Sequence, residues 1–285
     1  MSELKLGSGS IDPIQLGTYE SVARVANDKD VPFIIVGASA RDLVMHHGYG
    51  APIQRATRDI DLAVQVPDWD SFNSICDSLT VEGYRKTDIP HRLRDASGIP
   101  LDIIPFGPLE NCAAKISWPP DGAVVMDVLG FQEALEHCVW VKVDDIPELK
   151  LPVASPVGLG LLKLIAWSER DAQVRKKDAA DLAYLAANYE NIPGLRDELY
   201  ENHVAVLESY GWDTRLSGAH VLGREVAIIA SSSTLVSLRN RLNEDQAVKL
   251  KKDAETSLGA SGSGVIVAFL AGLLDTRPIA TTLIF

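Results

Sequence analysis

The sequence predicts an α/β (α+β) protein in which strands and helices alternate to about residue 150 and helices alone fill the rest. Three observations carry this. Phe33 to Val36, Ile60 to Val66 and Val139 to Val143 have the length and β-branched composition of strands. Helical spacing of apolar residues lies between them. Pro147, Pro152 and Pro156 then mark a boundary, after which the pattern turns helical and stays so. The expected domains are therefore residues 1–150 and 151–285.

Composition narrows the class. The 285 residues are 46% hydrophobic and 23% charged, which is ordinary for a soluble globular protein with a sizeable core. Net charge is −12. A protein that tracks nucleic acid is normally basic, so this balance argues against a large non-specific nucleic-acid surface but leaves room for a local basic patch. Cys76, Cys112 and Cys138 lack CxxC spacing and are expected to be reduced core thiols of a cytoplasmic protein. Met1 to Ser10 is polar and Gly/Ser-rich, unlike a signal peptide, and the apolar stretch Val265 to Leu274 is too short to span a bilayer.

In chain order, Pro13 to Ala26 reads as an amphipathic helix. Phe33 to Val36 is a buried strand that stops at a small-residue turn, Gly37-Ala38-Ser39, and Arg41 to His47 follows as a short helix. Ile60 to Val66 is the next strand, and Pro67-Asp68 caps a helix from Trp69 to Leu79. Tyr84 to His91 is expected as strand and turn, and Gly98 to Phe106 as a third strand. Trp118 to Val143 suggests hairpins around a helix, Gly130 to His137. Beyond the prolines come helices at Val157 to Arg170, Arg175 to Leu182 and Ile192 to Tyr210. The small residues between Trp212 and Arg224 point to tight helix contact, and Val248 to Glu255 reads as a solvated helix face.

The chemistry concentrates near the second strand. Asp59 and Asp61 stand at i and i+2, so both project to one side of it. Two carboxylates so close repel, and such a pair is tolerated only in water or around a cation. Magnesium takes oxygen ligands, commonly one or two carboxylates with substrate phosphates. The small-residue turn opening a helix just upstream can hold phosphate on its backbone N–H groups. Together these suggest phosphoryl or nucleotidyl transfer. Asp102 is the lone charge in its strand and reads either as a functional carboxylate or as an edge residue. Lys163 stands alone among Leu159, Leu161, Leu162, Leu164 and Ile165, where it is either functional or snorkelling at a helix edge.

Val36-Gly37-Ala38-Ser39 followed by Asp59-Ile60-Asp61 resembles the signature of the polymerase-β-type nucleotidyltransferase superfamily. Ala38 replaces the more usual second glycine, and the turn survives if its φ is negative. Gly37 to Leu43 also resembles the opening of the tRNA CCA-adding and poly(A) polymerases. Farther on, Lys163, Trp167, Arg170 and Arg175-Lys176-Lys177-Asp178-Ala179-Ala180-Asp181-Leu182 are similar to a second motif pair, that of the abortive-infection (AbiEii-like) nucleotidyltransferase toxins.

That resemblance implies a mixed sheet flanked by helices, then an all-helical domain that contributes Lys163 and Asp178 to the cleft. It implies two magnesium ions on Asp59, Asp61 and Asp102, with a nucleoside triphosphate bound by Gly37, Ala38, Ser39, Arg41 and Lys163. Asp178 would support the site, with Asp181 the competing position. The implied reaction moves a nucleoside monophosphate to an acceptor hydroxyl, such as a tRNA 3′ end, with a cognate antitoxin as a protein partner. Two other readings remain open: a small-molecule nucleotidyltransferase, for which an acidic chain suits a cationic aminoglycoside, and a non-catalytic binding protein on the same scaffold.

Overall fold

The computed structural model describes residues 3–54 and 59–275. These divide into two compact units: residues 3–48 with 59–155, and residues 49–54 with 156–275. The connection at 55–58, immediately ahead of Asp59, lies outside the described residues.

The first unit is built on an eight-stranded mixed sheet. Its elements are β1 (Glu3–Leu6), α1 (Pro13–Asp28), β2 (Phe33–Val36), α2 (Gly37–Arg41) with a π-helical continuation (Asp42–Gly48), β3 (Ile60–Gln65), α3 (Trp69–Val81), β4 (Arg85–Lys86), β5 (Arg92–Arg94), β6 (Pro100–Phe106), the small hairpin β7 (Lys115–Ser117) and β8 (Val125–Asp127), α4 (Phe131–Glu136), β9 (Val139–Val143) and β10 (Ile146–Val153). The order across the sheet is β1-β9-β10-β2-β3-β6-β5-β4. β2 and β3 are antiparallel, β3 and β6 parallel, and β6 and β5 antiparallel.

Helix α1 opens on Asp12, whose side chain accepts from the Ile14 N–H, with Pro13 at the first helical position. Asp68 caps α3 in the same way by accepting from the Ser71 N–H. β2 is buried at all four positions, as its uninterrupted apolar run requires. β3 alternates: Ile60, Leu62 and Val64 are buried on one face, and Asp61 and Gln65 are only partly covered on the other.

The three prolines flank the boundary between the two units, which falls at Ser155/Pro156. The segment before it, Ile146–Val153, is itself a strand between β9 and β2. Pro147 falls where the register shifts between Ile146 and Lys150, a bulge that spares the ladder a missing N–H. Pro156 opens the next helix, where it needs no N–H. Cys112 is exposed, so it is not the core thiol expected, whereas Cys76 and Cys138 are buried. Burial pushes the Cys76 thiol up to about 11.

The second unit is helical: α5 (Pro156–Glu169), α6 (Arg175–Asn188), a 3₁₀ turn (Tyr189–Asn191), α7 (Leu195–Asn202), α8 (Val204–Ser209), α9 (Thr214–Ile229), α10 (Ser232–Arg241), α11 (Glu244–Leu258) and α12 (Ala260–Leu273). The single helix expected from Ile192 to Tyr210 is broken at His203, which has a non-helical φ of −125°. α9 and α12 touch backbone to backbone. A Cβ on Gly223 would stand 2.0 Å from the Phe269 carbonyl oxygen, and one on Gly272 would stand 1.9 Å from that of His220. The small residues after Trp212 are thus there for close helix contact. Lys249, Lys251 and Lys252 are exposed on α11, a solvated face. Among the described residues, no helix is long and apolar enough to cross a membrane.

Candidate active site on the mixed sheet

Strand register assembles the site. Val36 on β2 lies opposite Asp61 on β3, Asp61 lies beside Asp102 on β6, and Asp102 lies opposite Arg92 on β5. Residues at matched positions of neighbouring strands share a face, so Asp61, Asp102 and Arg92 form one row across the sheet. The strand spacing of about 4.8 Å puts the two carboxylates in strong mutual repulsion unless a cation intervenes.

Arg92 is that cation here. Its Nε donates to Asp102 Oδ1 at 2.6 Å and its Nη2 donates to Oδ2 at 2.7 Å, a two-point fork. The bond to Asp102 raises the Arg92 guanidinium above its ordinary value, and the charges of Asp59 and Asp61 add to the effect. Asp59, exposed just before β3, therefore belongs to the same electrostatic neighbourhood.

The turn after β2 meets Asp61 directly. Gly37 has φ +69°, and a Cβ built on it would stand 2.1 Å from Asp61 Oδ2. Only glycine tolerates both that backbone conformation and that approach. Ala38 lies within α2, with the helical backbone that lets alanine replace a second glycine. Ser39 is buried, and its hydroxyl donates to the Val36 carbonyl at 3.2 Å. Tyr19 is buried on α1; burial raises its phenol well above the ordinary value, the Ser39 side chain opposes the shift, and the charges of Asp42 and Asp61 reinforce it. Arg41 is 2% exposed and its Nε and Nη2 donate to Asp42 Oδ1 at 2.9 and 2.7 Å. Burial raises the Asp42 carboxyl despite this grip.

The second unit carries its own charged cluster. Lys163 Nζ on α5 is 2.7 Å from Asp181 Oδ2 and 3.3 Å from Asp178 Oδ1 on α6. Arg170 Nη1 donates to both oxygens of Asp178, at 3.0 and 2.9 Å. Both aspartates are buried, so the lysine in its apolar helix is a paired cation rather than a snorkelling one. Trp167 turns to another partner: its indole N–H donates to Asp253 Oδ2 at 3.0 Å, beside the Arg175 Nε at 2.7 Å. Lys163→Met would leave two buried carboxylates with one cation fewer. The expected loss is about 3 kcal/mol of stability, read as a lower urea midpoint. An unchanged midpoint would return Lys163 to the helix edge.

Of the residues singled out in the sequence, Gly37, Ala38, Ser39, Asp59, Asp61 and Asp102 thus gather at one end of β2, β3 and β6, with Arg41 on the following helix. Lys163, Asp178 and Asp181 gather on α5 and α6. Arg92 and Tyr19 were not singled out. Arg92 lies in a three-residue strand without a recognisable pattern, and Tyr19 looks like ordinary helix core. The three carboxylates are hard oxygen donors of the kind magnesium takes. Among the described residues, no group of three His, Cys, Asp or Glu side chains could hold an ion unaided.

Comparison with known proteins gives the family. The model of the nucleotidyl transferase AbiEii toxin family, of the type IV toxin–antitoxin system, matches residues 22–260. No curated protein matches. Among solved structures, the chain is similar to ANT(2″)-Ia in complex with adenylyl-2″-tobramycin, at 13% identity and a TM-score of 0.39, over 61% of this chain and 88% of that one. It is also similar to the Thermotoga maritima CCA-adding enzyme complexed with tRNA, at 13% identity and a TM-score of 0.27, over 94% of this chain and 80% of that one. The family match spans both charged clusters and most of the chain, and with it the protein belongs to the AbiEii family and is a nucleotidyltransferase.

Proposed function

We propose that this enzyme moves a nucleoside monophosphate from a nucleoside triphosphate to an acceptor hydroxyl in a magnesium-dependent reaction, with the 3′ end of tRNA as the acceptor, and that it acts in the cytoplasm as the toxin of a toxin–antitoxin pair. The observation that carries the reading is the contact of Gly37 with Asp61 in a row with Asp102: a phosphate-sized turn set against two carboxylates. Magnesium held by Asp59 and Asp61, with Asp102 as a further ligand, would supply the positive charge that polarises the α-phosphate and lowers the pKa of the attacking hydroxyl. Asp59 and Asp61 fix where that charge stands. The backbone N–H groups of Gly37, Ala38 and Ser39 hold the β- and γ-phosphates, and Arg41 braces the helix that follows. For Lys163 the family motif supports neutralisation of phosphate charge, with Asp178 setting its direction and Asp181 sharing it. The cognate antitoxin is the protein partner the family name supports.

The test is incubation with each labelled nucleoside triphosphate, magnesium and total tRNA, resolved on a gel. Label on tRNA with one nucleotide supports the reading, and label on no tRNA species removes tRNA as the acceptor. The net charge of −12 favours a cationic small molecule as the second reading, because an acidic chain attracts cations. A parallel incubation with an aminoglycoside decides between the two acceptors.

Ser39 supplies a graded check. Ser39→Ala is expected to raise KM for the triphosphate about five-fold, the worth of one hydrogen bond of ~1 kcal/mol. Equal KM in both proteins would take the Ser39 hydroxyl out of nucleotide binding.

A further inference from the structure

The row of charges on the sheet ends in a cation that no part of the proposed reaction uses. Arg92 takes up both oxygens of Asp102, at 2.6 and 2.7 Å, and Asp102 is buried. The fork takes one lone pair on each carboxylate oxygen and sets a guanidinium charge against both. A divalent ion approaching the remaining lone pairs meets that charge, so the two cations compete for Asp102. Asp61, its neighbour in register, is only partly buried, and Asp59 is exposed.

Arg92 is also placed where it can let go. β5 is only three residues long, and beyond it lies only the two-residue β4 at the edge of the sheet. The Arg92 side chain is 24% exposed, so its guanidinium has water on one side. Asp102, by contrast, lies in the seven-residue β6, held by β3 on one side and β5 on the other. The mobile partner of this pair is therefore the arginine.

We propose that Arg92 is a built-in counter-ion that competes with a divalent cation for Asp102, so that metal enters at Asp59 and Asp61 and Asp102 joins only when Arg92 withdraws. Arg92 is on this view a positioning residue: it acts on the metal through Asp102. It balances the carboxylates of the metal-free enzyme and lowers the site's affinity for a divalent ion in the absence of nucleotide. The inference rests on the proposed role of Asp59, Asp61 and Asp102 as metal ligands.

The experiment measures Mn²⁺ binding to the full chain without nucleotide, by electron paramagnetic resonance of the free ion. Arg92→Gln is expected to bind Mn²⁺ about ten-fold more tightly than wild type, because the ion no longer competes with a charge-assisted fork. Its melting temperature should also rise more steeply with added Mn²⁺. Arg92→Lys keeps the charge but loses the two-point geometry, so it should fall between the two, and it carries the test if the glutamine variant does not fold. Asp61→Asn in the wild-type and Arg92→Gln backgrounds separates the two claims. If Asp61→Asn abolishes Mn²⁺ binding but Arg92→Gln and Arg92→Lys bind no more tightly than wild type, the metal site stands and the role of Arg92 is overturned. If no variant binds Mn²⁺ through Asp61, the metal site itself is wrong and the inference falls with it.

Discussion

Asp61→Asn is expected to lower the rate of nucleotidyl transfer by roughly a thousand-fold while leaving the fold intact. The size follows from the charge. A metal-held transition state takes several kcal/mol from its carboxylate ligands, and each 1.36 kcal/mol is a factor of about ten in rate. Asparagine keeps the shape of aspartate and one carbonyl oxygen but not the negative charge. The fold survives because Asp61 is not part of the apolar face of β3; Ile60, Leu62 and Val64 are. Asp61 also stands beside Asp102, so removing its charge relieves repulsion in the metal-free protein. The metal-free melting temperature should therefore hold or rise. Transfer assays on the purified variant, paired with thermal melts in chelator, check both halves. Full activity would exclude Asp61 as a ligand, and a clear fall in metal-free stability would make the pair structural.

How much of this site was legible depends on which interactions are local. Gly37, Ser39, Asp59 and Asp61 lie on either side of one strand–turn–helix connection, and period-two alternation alone places the two aspartates on one face. Asp102 was visible as an isolated charge in an apolar strand, but its place beside Asp61 depends on the parallel pairing of β3 with β6, which no local pattern encodes. Arg92 was invisible for the same reason, amplified. It lies ten residues before Asp102, opposite it across an antiparallel pair whose strand is too short to show alternation. Lys163 and Asp178 were legible as an unusual lysine and a helical Asp-x-x-Asp. Asp178 and Asp181 could not be separated in the sequence, and both bond the same ammonium. At the fold level, Pro147 and Pro152 read as part of a domain boundary because proline usually ends regular structure, and the strand that contains them was not legible. The bulge that accommodates the first of them is a property of the pairing with β9, not of the segment. The break at His203 left no proline or glycine to announce it.

Gly37→Ala is expected to cost nearly as much activity as loss of Asp61, through the backbone rather than through charge. Two effects act at this position. The φ of +69° lies in the left-handed region, where a Cβ costs roughly 1–2 kcal/mol. The added methyl would also meet Asp61 Oδ2 at 2.1 Å and Asp61 Cγ at 2.8 Å, far inside van der Waals contact. The backbone on both sides is held: Val36 pairs with Asp61 in the antiparallel ladder, and the Ala38 carbonyl accepts from the Asp42 N–H in the helix that follows. The Asp61 side chain is the part able to move, and turning it away takes a carboxylate oxygen from the position where a metal ligand is needed. Misplacement of about 1 Å is enough to cost roughly a hundred-fold in rate. Stability should fall by more than the roughly 1–2 kcal/mol of the strained φ, because rotation of the Asp61 side chain clears its carboxylate but not its Cβ, which would stand 2.9 Å from the added methyl. Ala38→Gly is the matched control: it changes the same turn by one methyl but needs no positive φ, so it should leave activity within about two-fold and lower stability by no more than ~1 kcal/mol. Urea melts and single-turnover transfer on the two variants separate the contributions. If Gly37→Ala retained wild-type activity, the close approach of the turn to Asp61 would have no part in catalysis.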